Sequence, residues 1–262
     1  MGSIVTIHSY RGGTGKTNTS ANLAVCLAMR GLRVAVIDTD VQSPGVSVLF
    51  SFRASDFKHT LNDYLKGQCS IVDCARSVKE RMSLNAGELF VIPSALLSGE
   101  IVRIIKSGGL NVETITVAFR EALNDLRLDY LVVDTHPGLS EDTMLYAVMS
   151  RLLLILLRTD QQDYLGTAVL IELARKLTLE NFGLVVNKVL PTYDTDAVRS
   201  RLGGEFSCPV LGVLPFHVDL MANESSGIMV LERPNHPWTQ ALAALATTVI
   251  AATTTPPKST TL

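Results

Sequence analysis

Short aliphatic runs alternate with helix-forming stretches along almost the whole chain, and that alternation sets the fold class. Residues 4–7, 34–37, 89–92, 130–133, 152–157, 184–186 and 210–214 are apolar at nearly every position. A strand apolar on both faces must be covered on both faces, as in a parallel sheet flanked by helices. The intervening segments 18–30, 95–106, 112–126, 141–150, 166–177 and 195–202 carry apolar residues at helical spacing. A last helix is expected from Pro237-Trp238 to Ala252. The pattern predicts an α/β fold with a mainly parallel β-sheet and helices on both faces. At 262 residues, 47% of them hydrophobic, a single domain over residues 1–252 fits, with 253–262 a disordered Thr- and Pro-rich tail.

Composition excludes several classes. A formal net charge of −2 is not that of a strongly basic nucleic-acid-binding chain. Cys26, Cys69, Cys74 and Cys208 form no C-x-x-C pair, which reads as reduced thiols in a cytoplasm. The start, MGSIVTIHSYRGG, lacks the features of a signal peptide, and the apolar run 152–157 is far too short to span a bilayer. The expectation is a soluble, cytoplasmic protein.

The sharpest chemical signal is Arg11-Gly12-Gly13-Thr14-Gly15-Lys16-Thr17-Asn18, between an expected strand and an expected helix. Glycines let main-chain N–H groups approach phosphate oxygens, and the first amides of the helix add partial positive charge. In such a loop Lys16 reaches the β- and γ-phosphates and the Thr17 hydroxyl ligates Mg²⁺. The general pattern has glycine at position 10, where this chain has Tyr10.

Two further strand ends carry carboxylates. Asp38 and Asp40 stand at i and i+2, on the same side of an extended segment. Aimed at the loop, they can hold Mg²⁺ through water and orient an attacking water. The lesser alternative is that Asp38 caps the next helix or turn. The run 131–133 ends in Asp134, the arrangement that brings a carboxylate to Mg²⁺, with Pro137-Gly138 following.

The loop resembles the deviant Walker A motif of the MinD/ParA family, K-G-G-x-G-K-[ST], with Arg11 in place of the usual first lysine. The resemblance extends over nearly the whole chain. It implies a P-loop NTPase that binds ATP and Mg²⁺, forms a homodimer on ATP binding, and hydrolyses ATP under the influence of a protein partner. It implies that Asp40 positions the hydrolytic water, with Asp38 nearer the Mg²⁺. Arg11 then reaches across the dimer to the partner's phosphates, unless it simply faces solvent or pairs with a nearby carboxylate. Asn187 matches the residue that reads the adenine edge and Pro215 the segment packed against the base. The Asp of the guanine-reading N-K-x-D pattern is absent after Asn187-Lys188.

The family's outputs are positional: DNA, a membrane or a protein assembly. The last helix has no Lys or Arg, so membrane binding is the weaker expectation. Non-specific DNA binding has candidates in Arg103, Lys106, Arg175, Lys176, Arg199 and Arg201, which also read as ordinary solvated charges. The alternatives are an ATP-dependent synthetase or ligase of the same superfamily, and an ATP-binding regulatory module.

Overall fold

The computed structural model describes residues 2–41, 43–79, 81–82, 84–94, 112–222 and 227–254. The expected helix over 95–106, with Arg103 and Lys106, lies outside them. Within them the strands are β1 (Ser3–His8), β2 (Arg33–Asp38), β3 (Arg76–Ser77), β4 (Glu88–Ile92), β5 (Tyr130–Asp134), β6 (Leu152–Leu157), β7 (Phe182–Val189) and β8 (Val210–Pro215). They form one eight-stranded sheet in the order β3-β4-β2-β5-β1-β6-β7-β8. Every pairing is parallel except β3 with β4. The two-residue β3 is too short to leave a periodic signature, and sequence reasoning did not find it.

Alternate residues of each strand feed opposite faces. Val5 and Ile7 of β1, Val34 and Val36 of β2, and Leu152, Leu154 and Leu156 of β6 pack on one face. There they meet α1 (Lys16–Ala28) and the last helix, α6 (Pro237–Thr254), through Leu23, Leu27, Trp238, Leu242 and Leu245. The other face takes Ile4, Ala35, Ile37 and Leu131 against α2 (Val112–Asp125) and α3 (Glu141–Met149), with Phe119 and Tyr146 at the centre. Beside them, Leu153, Ile155 and Leu157 lie under α4 (Gln161–Lys176) and α5 (Thr195–Phe206).

Element ends differ from expectation where capping overrides spacing. Helix α4 starts five residues before the expected Gly166, because Asp160 accepts the N–H of Asp163 at 2.9 Å and caps it. Helix α6 continues two residues past the expected boundary at Ala252. Thr253 is buried there, and its hydroxyl lies 2.7 Å from the Tyr130 hydroxyl.

Register decides what the fold presents. Asp134 of β5 lies opposite Ile7 of β1 on one side and Asp38 of β2 on the other. The carboxyl ends of three adjacent strands thus coincide with the start of the glycine-rich loop, where open α/β sheets place their ligands.

Candidate nucleotide site

Helix α1 opens on Gly15, which sits at φ 95° and offers no side-chain cap; the first turn has no acidic residue. Its free amides are left for an outside acceptor, the arrangement that suits an anion. Gly15 cannot carry a side chain here: its φ lies in the left-handed region, and a Cβ would collide with Asn187 Nδ2. Facing these amides is a cavity of about 470 Å³ lined by Gly12, Gly13, Gly15, Lys16, Thr17, Asn18, Asp40 and Pro137, among others.

The loop is held from behind. Asn187 Nδ2 donates to the Thr14 carbonyl at 2.8 Å, and Lys188 Nζ donates to the Gly13 carbonyl at 2.8 Å. In a trans peptide the carbonyl and the following N–H point in opposite directions. Pulling these carbonyls toward β7 therefore turns the amides of Thr14 and Gly15 away from it. Below the loop, Ser9 Oγ accepts from Lys16 Nζ and from Thr14 Oγ1, each at 3.0 Å, and donates to the Arg11 carbonyl at 2.7 Å.

Lys16 is buried, and burial pulls its ammonium below the ordinary lysine range against the opposing charges of Asp134 and Asp40. Asp134 is 1% exposed. Its Oδ1 accepts from Ser20 Oγ at 2.8 Å, while Oδ2 is buried without a hydrogen-bond partner. Burial raises its carboxyl to about 6, although Ser20, Thr17 and Lys16 all pull it down. A buried carboxylate oxygen without a donor, beside a threonine hydroxyl at the loop, fits a hard cation.

Asp38 is placed differently. Its Oδ2 accepts the N–H groups of Gly45 and Val46 at 2.9 and 3.0 Å, and its Oδ1 accepts that of Asp40 at 3.1 Å. Burial and the neighbouring Asp134 push its carboxyl well above the ordinary range, against those amides. In this geometry Asp38 holds the amides of Asp40, Gly45 and Val46, the capping alternative. Asp40 instead borders the cavity, with Oδ1 accepting the N–H of Ser43 at 3.0 Å.

Arg11 projects to the surface, and its guanidinium donates to Gln162 Oε1. Asn187 and Pro215 do not line the cavity. The Asn187 amide is occupied at both ends, since Oδ1 accepts the Lys188 N–H at 2.8 Å. It braces the loop, with one N–H and one lone pair of the carboxamide left over. Pro215 ends β8, half-buried and opposite Val189. At the segment after Asp134, the Gly138 N–H donates to the Ser9 carbonyl at 3.1 Å.

Among the basic candidates, Arg175 donates to the Phe206 and Ser207 carbonyls at 2.9 and 2.8 Å, and Arg199 to the Val210 carbonyl. Lys176 pairs with Glu172 at 2.7 Å. Arg175 and Arg199 thus stitch neighbouring elements together, and Arg201 donates to the Tyr164 hydroxyl at 3.3 Å, so each of the four described basic side chains has a partner.

Sequence reasoning passed over Ser9, Ser20, Gln162 and His8. Serines next to a loop and on the first turns of a helix are unremarkable as residues; only the shared edge of β1 and β5 gives them their partners.

Residues 5–230 match the family described as CobQ/CobB/MinD/ParA nucleotide binding domain. An iron–sulfur cluster carrier protein of Deinococcus radiodurans is 26% identical over 258 residues, covering 94% of this chain and 68% of that protein. The sporulation initiation inhibitor protein Soj of Bacillus subtilis is 28% identical over 207 residues, covering 78% and 76%. A solved structure of the septum site-determining protein MinD complexed with Mg-ADP, from Pyrococcus horikoshii, shares the fold. Its TM-score is 0.77 at 20% identity, covering 95% of this chain and 96% of that one. With the matching region spanning most of the sequence and containing the loop, Asp38, Asp40, Asp134 and Asn187, the chain belongs to the CobQ/CobB/MinD/ParA family of nucleotide-binding domains.

Proposed function

We propose that the protein is an ATP-dependent dimerising switch that hydrolyses ATP in the presence of Mg²⁺ and positions a cellular cargo. One observation carries the reading: an uncapped helix N-terminus, the Lys16 ammonium and the unpartnered Asp134 Oδ2 converge on one edge of the sheet. That set suits a polyphosphate with its cation. Thr17 and Asp134 would hold Mg²⁺, which when bound neutralises charge on the phosphates. The amides after Gly13 bind the phosphate oxygens and Lys16 shifts from Ser9 Oγ to them. Asp40, bordering the cavity, orients the attacking water. Mg-ADP in the MinD structure supports the same ligand class.

The exposure of Arg11 in the loop supports dimerisation, in which its guanidinium would reach the partner's phosphates. An arginine keeps the charge of the usual lysine and grips phosphate oxygens bidentately. The septum site-determining protein MinD among the similar proteins supports a positional output. A protein partner that stimulates hydrolysis belongs to this reading. The stitched arginines give a DNA surface little support, and the last helix gives a membrane surface none. No described helix is long and apolar enough to cross a membrane.

The test is solution mass with ADP and with a non-hydrolysable ATP analogue, for wild type and Arg11→Ala. A monomer that becomes a dimer only with the analogue, and does not in the variant, supports the switch. A mass indifferent to nucleotide overturns it and shifts the reading to a constitutive dimer or a metabolic enzyme.

A further inference from the structure

Tyr10 and Arg11 are consecutive in the loop, and each meets a residue of α4. The Tyr10 ring lies directly against Gly166: a Cβ on Gly166 would collide with Tyr10 Cδ1 and Cγ and lie 2.7 Å from Tyr10 Cβ. Arg11 donates to Gln162, one helical turn earlier. Residues four apart share a helix face, so one face of α4 receives two successive loop residues.

Glycine is an unfavourable choice inside a helix, and Gly166 lies well within α4. Of all the atoms a Cβ there would meet, the nearest belong to Tyr10. The seat itself is fixed. Arg158 grips Asp163 through Nε and Nη2, both at 2.9 Å, and its main-chain N–H adds a third bond at 2.9 Å. Asp163 is 2% exposed and Asp160 caps the same turn. The first turns of α4 are thereby tied to the end of β6, next to β1.

We propose that Gly166 is a positioning residue of the nucleotide site: its bare Cα is the notch that seats Tyr10, and the seated ring sets the path of the loop and aims Arg11 along α4. This rests on the nucleotide reading above. General phosphate loops have glycine where this chain has Tyr10; here the glycine that makes room lies on the helix. The contact acts at a distance from the phosphates, through the main chain of residues 10–12.

A steric claim of this kind makes a reciprocal prediction. Gly166→Ala should push the ring out and weaken binding of a fluorescent non-hydrolysable ATP analogue roughly tenfold or more, the effect of misplacing loop donors by fractions of an ångström. Tyr10→Gly/Gly166→Ala should bind within about threefold of Tyr10→Gly alone, because an alanine is harmless once the ring is gone. Tyr10→Phe, which keeps the ring, should bind like wild type. Far-UV circular dichroism and thermal melting of each nucleotide-free variant show whether it is folded, and the double variant carries the test if Gly166→Ala alone is not. Unchanged affinity in Gly166→Ala overturns the proposal, as does an equal loss of affinity from Gly166→Ala with and without the Tyr10 ring. A wild-type protein that binds no nucleotide removes both the functional reading and this one. Binding by wild type without coupling between positions 10 and 166 removes this one alone.

Discussion

Asn187 Nδ2 donates to the carbonyl oxygen of Thr14 over 2.8 Å, so the end of β7 grips the phosphate loop from the side opposite the cavity. Lys188 has φ 57°, an uncommon value for a residue with a side chain, and its Nζ reaches the Gly13 carbonyl from there. Two neighbouring residues thus hold two neighbouring loop carbonyls. The loop amides point into the cavity as a consequence of the fold, before any ligand arrives.

Removing this brace should weaken nucleotide binding without touching the nucleotide. Asn187→Ala leaves the Thr14 carbonyl buried without its donor, at a cost of about 1–3 kcal/mol, or roughly 5- to 150-fold in affinity where the loop must be re-formed on binding. Asn187→Asp should be worse, since a carboxylate would face a carbonyl oxygen. Calorimetric titration with ADP checks both. Equal affinity of Asn187→Asp and wild type would refute the bracing role.

Much of the sheet was legible because its strands are buried on both faces, which leaves uninterrupted aliphatic runs such as 152–157. The phosphate loop was legible because its chemistry needs glycines, Lys16 and Thr17 in adjacent positions. Asp38 shows where legibility ends. Two carboxylates at i and i+2 have the same local pattern whether they face a ligand or main-chain amides. The return of residues 45–46 over the end of β2 supplies two of the main-chain amides that Asp38 accepts, and no local pattern announces it. Gly166 marks a second limit: an isolated glycine in a helical pattern reads as a start or a weak point, and the ring that fills its notch is more than a hundred residues away in sequence.

Asp134→Asn should separate the magnesium requirement from nucleotide binding itself. The substitution removes the anionic oxygen that lacks a donor and leaves the loop amides and Lys16 in place. Wild type should bind nucleotide more tightly with Mg²⁺ than with EDTA by about tenfold or more, the scale of one interaction with a charged group. The variant should lose most of that difference while retaining its EDTA affinity. A variant that still gains the full difference would show that the cation is held elsewhere.

His8 should make the protein acid-sensitive. It is 1% exposed at the end of β1; Nδ1 lies 2.8 Å from Thr135 Oγ1, and Nε2 is buried without a partner. Burial, with Lys16 and His136 nearby, lowers the imidazole from 6.5 to about 3. The folded state therefore keeps His8 neutral while the unfolded state takes up a proton below the ordinary histidine range. Between the two values the unfolded chain binds more protons, so stability falls as pH falls; above about pH 7 the contribution is complete. By pH 5 the loss should be about 2 kcal/mol from this residue. Urea unfolding of wild type and His8→Asn at pH 7.5 and 5 checks it through the difference in slopes, so a general destabilisation by the substitution cancels. A wild-type stability that declines no more steeply than that of the variant would mean that His8 is protonated in the folded state or already open to water.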